Sequence, residues 1–263
     1  MSATTKVIKY EMSNVVRSRW VLAYALFFFL VTDALLRFGG DGTRALLSLV
    51  NIVLFIIPLV TIVFGTMYLY DAREFTELLL AQPVHRRQLF AGLYVGLALP
   101  LSLGFLAGVG LPFALHGLGG ATEGATLAAL ALAGVLLTSV FTAIAFLIAV
   151  RSEDKVKGLG LAIAIWLAFA VVYDGLVLLA VSIFADYPLE RPMVAMMLAN
   201  PVDLARVFLL MRFDVAALMG YTGAVFERLF GTERGVILAL GVLGAWCAVP
   251  LALGLRWFQR KDF

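Results

Sequence analysis

The sequence predicts an all-α integral membrane protein with six transmembrane helices, and three observations predict it. Of its residues 63% are hydrophobic, with a mean hydropathy of +1.01. Charged residues make up 14%, against about 25% in soluble domains. The charges fall in clusters, and the apolar runs between them reach the roughly 20 residues that cross a bilayer. The 263 residues read as a single six-span domain, 1–263, with no soluble domain of useful size.

The chain opens with Lys6, Lys9, Glu11, Arg17 and Arg19, interleaved with Val7, Ile8, Met12, Val15 and Val16. Apolar residues recurring at helical spacing beside basic ones predict an amphipathic helix lying in the membrane interface. No small-residue cleavage site follows the first apolar run, so that run is expected to stay in the mature protein. The first span covers 20–38 and the second 45–70. The polar stretch from Asp71 to Arg87 interrupts the apolar sequence. Asp71, Arg73, Glu74 and Glu77 lead it, Leu78, Leu79 and Leu80 form a short apolar ridge, and Gln82-Pro83 ends any helix. A short amphipathic helix at the membrane face is expected here, a form suited to passing a push from a soluble partner to two spans.

Further spans are expected at 88–116, 125–150, 158–185 and 235–258. The intervening 186–234 is too polar to span simply. Within it, Asn200-Pro201 followed by Asp203 is a helix start: an Asn cap, proline at the first helical position, an acid in the first turn. Leu204, Val207, Phe208 and Met211 then share a face. Asp214 is positioned to cap a second helix ending near Gly231. Both helices are expected on or partly in the outer leaflet.

Lys and Arg placement orients the chain. Lys6, Lys9, Arg17, Arg19, Arg73, Arg86, Arg87, Arg151, Lys155, Lys157, Arg256, Arg260 and Lys261 fall on one side, thirteen of the twenty basic residues. Both termini are therefore expected to be cytoplasmic, with 186–234 outside.

No enzyme is visible. The chain has no Gly-Lys pair and hence no P-loop, no His-Glu-x-x-His and no Gly-x-Ser-x-Gly. Its two histidines, His85 and His116, are expected on opposite sides of the membrane. The single cysteine, Cys247, excludes an internal disulfide and a cysteine-based zinc site. Asp33 and Arg37, four apart, are expected to pair on one helix face. Asp174, beside Tyr173, lies about 12 Å below the outer end of its span, where it lines a cavity or bonds a neighbouring helix. Gly92, Gly96, Gly104 and Gly108 permit close helix approach, first of all within one subunit. Thr138, Ser139 and Thr142 are expected to bond between helices. Met193, Met196 and Met197 are weak candidates for a Cu(I) path, since thioethers suit that ion, but methionine also fills irregular packing. No metal site is expected.

Three stretches carry a resemblance. Lys9-Tyr10-Glu11 through Arg17-Ser18-Arg19-Trp20, Arg73-Glu74-Phe75-Thr76-Glu77-Leu78-Leu79-Leu80-Ala81-Gln82-Pro83-Val84, and Arg256-Trp257-Phe258-Gln259-Arg260-Lys261-Asp262-Phe263 resemble the permease subunits of type-2 ATP-binding-cassette exporters. Phe75 stands where glycine is usual in that family. Leu78 to Val84, Asn200 to Arg206, and Leu218 to Phe226 are similar to the permease that serves maturation of the nitrous-oxide reductase copper site. The resemblance implies a homodimer, two copies of a cytoplasmic ATPase holding ATP and Mg, a periplasmic accessory protein, and no cofactor on this chain. No nucleic-acid partner is expected. It assigns ATPase coupling to Asp71, Arg73, Glu74, Glu77, Leu78, Pro83, Arg86 and Arg87. The mixed charges of Arg191, Arg206, Arg212, Glu227 and Arg228 suit docking of the periplasmic partner. The alternatives are an exporter of a drug, lipid or peptide, or a membrane scaffold needing no ATP.

Overall fold

A computed structural model describes residues 19–39, 42–80, 85–117, 120–184, 190–210 and 233–260. Every regular element among them is helical. They are α1 (Arg19–Phe38), α2 (Gly42–Asp71), α3 (Arg73–Leu80), α4 (Arg86–His116), α5 (Ala121–Arg151), α6 (Lys155–Ile183), α7 (Glu190–Leu198), α8 (Pro201–Leu210) and α9 (Glu233–Arg260). Six of these, α1, α2, α4, α5, α6 and α9, are long and apolar enough to cross a membrane. The expected interfacial helix before residue 19 and the expected helix from Asp214 to Gly231 lie outside the described residues.

α5 is the hub. It packs against α2, α4, α6, α8 and α9 and is apolar around its whole circumference, as a helix enclosed by others must be. Its hydroxyls are satisfied at home. Thr138 donates to the Gly134 carbonyl (2.8 Å), Ser139 to Val135 (2.9 Å) and Thr142 to Thr138 (2.6 Å). The expectation of bonds between helices is not met by Ser139 and Thr142, because a Ser or Thr hydroxyl reaches its own i−4 carbonyl at no packing cost; the Thr138 side chain faces the Tyr24 hydroxyl of α1. The bond between helices here comes from Tyr94 of α4, whose hydroxyl donates to the Ser139 carbonyl at 2.9 Å.

α1 buries Val21, Tyr24, Phe28 and Thr32, one stripe at helical spacing, and seats it on α4. Phe28 meets Phe105 edge to face, ring centroids 5.2 Å apart. A Cβ at Gly108 would stand 2.7 Å from the Ala25 carbonyl oxygen, so a side chain there would push the two backbones apart. Gly104 has ordinary contacts with α1. The glycine pattern of α4 thus packs within the subunit. α2 and α5 approach closely where Gly65 faces the Ala145 methyl.

α7 and α8 form a pair bent by 108°. The bend is pinned at both ends of the Leu198–Asn200 turn. Trp246 Nε1 donates to the Leu198 carbonyl (3.0 Å) and Asn200 Nδ2 to the Phe169 carbonyl (2.9 Å). Trp246 and Phe169 are the middle residues of α9 and α6, about 21 Å from either helix end at about 1.5 Å per residue. α6 ends and α9 begins at the same face, and the bent pair is held between them at the level of their middle residues. The helix expected to start at Asn200 is present, but its position differs from the expectation. It lies inside the bundle, with Pro201 to Ala205 and Val207 to Leu209 buried.

Candidate coupling face and embedded ion-pair cluster

One end of the bundle gathers Arg73, Arg86, Arg151, Lys155 and Arg260, and is the basic face. α3 lies there. After Ala72, whose N–H donates to the Tyr68 carbonyl (2.9 Å), the chain turns out of α2 into a short amphipathic helix. Thr76, Leu79 and Leu80 face inward. Glu74, Glu77 and Leu78, at i, i+3 and i+4, face solvent together. Leu78 is 70% exposed, and neither glutamate is in an ion pair among the described residues.

The α2–α3 corner is tied to the turn between α5 and α6. The Tyr70 hydroxyl lies 3.0 Å from the Ser152 carbonyl and 3.2 Å from that of Asp154. Lys155 Nζ pairs with Asp71 at 2.7 Å. Arg73 Nη1 donates to the Glu153 carbonyl (3.1 Å) while its guanidinium lies over the Tyr70 ring, 5.7 Å from the centroid. Gly158 leaves the space the Tyr70 ring occupies. Asp154 caps α6 by accepting from the Val156 N–H (2.8 Å) and Lys157 N–H (3.3 Å). Tyr70, Ser152, Glu153 and Asp154 were not singled out in the sequence, and Lys155 only for its charge. Three of these contacts use backbone carbonyls, which leave no trace in residue identity. Arg86 donates to the Gln259 carbonyl (3.0 Å), joining the start of α4 to the end of α9. Arg87 is exposed. Pro83 lies outside the described residues.

The second constellation is embedded. α6 widens into a π turn at Ala168–Val172, where the Tyr173 N–H bonds back to Ala168, one residue further than in an α-helix. The Phe169 carbonyl accepts from Asn200 instead. Asn200 is fully buried. Its Oδ1 caps α8 at the Val202 N–H (2.9 Å), and its Nδ2 also donates to Asp203 Oδ2 (3.0 Å). Arg206, one turn on, bonds Asp203 Oδ1 (2.9 Å) and both carboxylate oxygens of Asp174 (3.1 and 3.0 Å). The Tyr173 hydroxyl donates to the Met196 carbonyl. Of the two places open to Asp174, the structure gives the bond to a neighbouring helix, with the side chain still 37% exposed.

Among residues expected to dock a periplasmic partner, Arg206 has its charge paired inside the chain. Arg212, Glu227 and Arg228 lie outside the described residues, and Arg191 lies on α7. Met193 and Met197 are buried; Met197 packs with Leu204, Val207, Ala239 and Leu243. At the far face Asp33 pairs with Arg37 (2.8 Å), and His116 Nε2 lies 3.6 Å from Asp33, linking α1 to α4.

Six apolar spans, a short amphipathic helix at the basic face and a sharply bent, buried helix pair define a polytopic α-helical membrane protein. The match to the ABC-2 family transporter proteins runs over residues 5–263, and the chain belongs to that family. It is 29% identical to the "Probable ABC transporter permease protein NosY" of Pseudomonas aeruginosa and 28% identical to the protein of the same name from Stutzerimonas stutzeri, each alignment covering 99% of both chains. It is thus an ABC-transporter permease and a multi-pass protein of the bacterial inner membrane. Family membership implies a cytoplasmic ATPase partner and a bilayer around it.

Proposed function

We propose that this chain is one half of a homodimeric transporter core, that two copies of a separate ATPase drive it from the basic face, and that the complex acts in maturation of the periplasmic nitrous-oxide reductase copper site. The observation that carries the coupling reading is α3. It presents Glu74, Glu77 and Leu78 outward while its root at Tyr70, Asp71 and Arg73 is fixed to the α5–α6 turn. A push on α3 therefore reaches α2 directly and α5 and α6 through that brace. ATP and Mg belong to the ATPase, and this chain binds no cofactor. The concentration of Lys and Arg on the α3 face supports a cytoplasmic basic face.

The maturation role is supported by similarity to the two NosY permeases and by the stretches Leu78 to Val84 and Asn200 to Arg206. Docking of a periplasmic protein falls to Arg191, Arg212, Glu227 and Arg228, since Arg206 is engaged with Asp174 and Asp203. Met193, Met196 and Met197 serve packing and carry no copper. A strain lacking this permease, complemented with Glu74→Lys/Glu77→Lys, tests both levels. The variant reaches the membrane, but ATP hydrolysis is uncoupled and nitrous-oxide reductase lacks its copper site. Normal maturation by that variant removes the coupling proposal. Normal maturation in the uncomplemented strain removes the maturation role and favours an exporter of another substrate.

A further inference from the structure

We propose that a cavity between the basic-face ends of α5 and α9 binds the phosphodiester headgroup of an anionic phospholipid. The cavity has a volume of about 470 Å³. Arg151, the last residue of α5, forms one wall. Arg256 and Arg260, one turn apart on the last turns of α9, form the other. Trp257 lies between, with the Arg151 guanidinium 4.8 Å from its ring centroid. Glu153 is the one acid in the lining, against three arginines. Among the described residues no carboxylate lies within ion-pair distance of Arg256 or Arg260.

The polarity of the lining has a direction. The arginines and Trp257 sit at the ends of two spans, the level where Trp and Arg anchor membrane proteins. Leu253, an apolar lining residue, lies nearly a turn deeper in α9 than Arg256, and Val150 lines the wall directly beneath Arg151. A charged rim above an apolar floor matches a lipid entering phosphate last, and does not match a free anion, which gains nothing from the floor. Guanidinium forks suit phosphate oxygens, with two parallel N–H bonds each. Basic pockets between spans are a recurrent mode of anionic headgroup binding. The site is also linked to the proposed coupling region, because Arg86 donates to the carbonyl of Gln259, on the same turn as its Arg260 wall.

The full-length permease, co-purified with its ATPase in detergent and incubated with equal phosphatidylglycerol and phosphatidylethanolamine, tests this by counting retained lipid in native mass spectrometry. Wild type retains phosphatidylglycerol preferentially. Arg256→Gln/Arg260→Gln loses that preference about tenfold, Arg256→Lys/Arg260→Lys keeps most of it, and millimolar inorganic phosphate leaves it unchanged. Three results overturn the proposal: undiminished preference in the Gln variant, displacement of the lipid by inorganic phosphate, or unchanged lipid with loss of the ATPase. Should the Gln variant fail to purify, brominated phosphatidylglycerol decides. It quenches wild-type tryptophan fluorescence more than brominated phosphatidylethanolamine does, and Trp257→Phe abolishes the excess. Equal quenching by the two lipids overturns the proposal.

Discussion

Arg206 Nη1 of α8 lies 3.0 Å from Asp174 Oδ2 of α6, two residues beyond the π turn. The same nitrogen holds Asp203 at 2.9 Å. One arginine thus joins the buried helix α8 to a long span at a depth where unpaired charge is expensive. Both partners are about a third exposed, so the pair is worth less than a fully dry one. A double-mutant cycle of Asp174→Asn and Arg206→Gln should give a coupling energy of about 0.5–3 kcal/mol, read from thermal unfolding in detergent. Additive single effects would mean that the pair does not hold the helices together.

Asn200 has a harder task than capping. Its side chain accepts from the Val202 N–H and donates to both Asp203 and the Phe169 carbonyl. Asn200→Ala removes all three and should cost about 1–2 kcal/mol for the cap alone. Asn200→Asp keeps the cap but sets a carboxylate against Asp203 and a carbonyl. It should therefore unfold at a lower temperature than Asn200→Ala. If Asn200→Asp is the more stable of the two, only the cap matters.

These two residues also mark where the sequence was legible and where it was not. Asn200-Pro201-Val202-Asp203 announced a helix start, because capping chemistry is local. It did not announce depth. The segment 186–234 read as too polar to span simply, and the pairing of Arg206 and Asp203 with Asp174 was out of sight because that partner stands on another helix. The π turn of Ala168–Val172 has no signature in Ala-Phe-Ala-Val-Val. The six spans were legible because length and hydropathy suffice, and Asp33–Arg37 because an i,i+4 pair needs only one helix. The third member, His116, was not, because only the packing of α1 on α4 brings it there. α3 was readable as an amphipathic interruption, but its anchoring to Ser152, Glu153 and Asp154 runs through carbonyls.

The brace at the foot of α3 can be loosened with little loss of stability. Tyr70→Phe removes one donor shared between two carbonyls, about 0.5–1.5 kcal/mol. On the coupling proposal, stimulated ATP hydrolysis in proteoliposomes should fall well beyond what that small loss of stability explains. Adding Arg73→Ala should lower it further. Unaltered stimulation in the double variant would mean that α3 acts without its tie to the α5–α6 turn.

Orientation is measurable with an impermeant thiol reagent in a Cys247→Ser background. Gly120→Cys should react from outside intact cells and Glu153→Cys only after the membrane is opened. The reverse pattern would turn the molecule over and place α3 outside, where no ATPase could meet it.

The central claim, that α3 is the surface the ATPase grips, is tested most directly by a photo-crosslinking amino acid at position 78. Leu78 is 70% exposed at the tip of the Glu74, Glu77 and Leu78 face. Leu103, 49% exposed in the middle of α4, is the control. Irradiation of membranes carrying both subunits should give a permease–ATPase adduct from position 78 and none from position 103. No adduct from position 78, in membranes where the two subunits co-purify, would contradict the account.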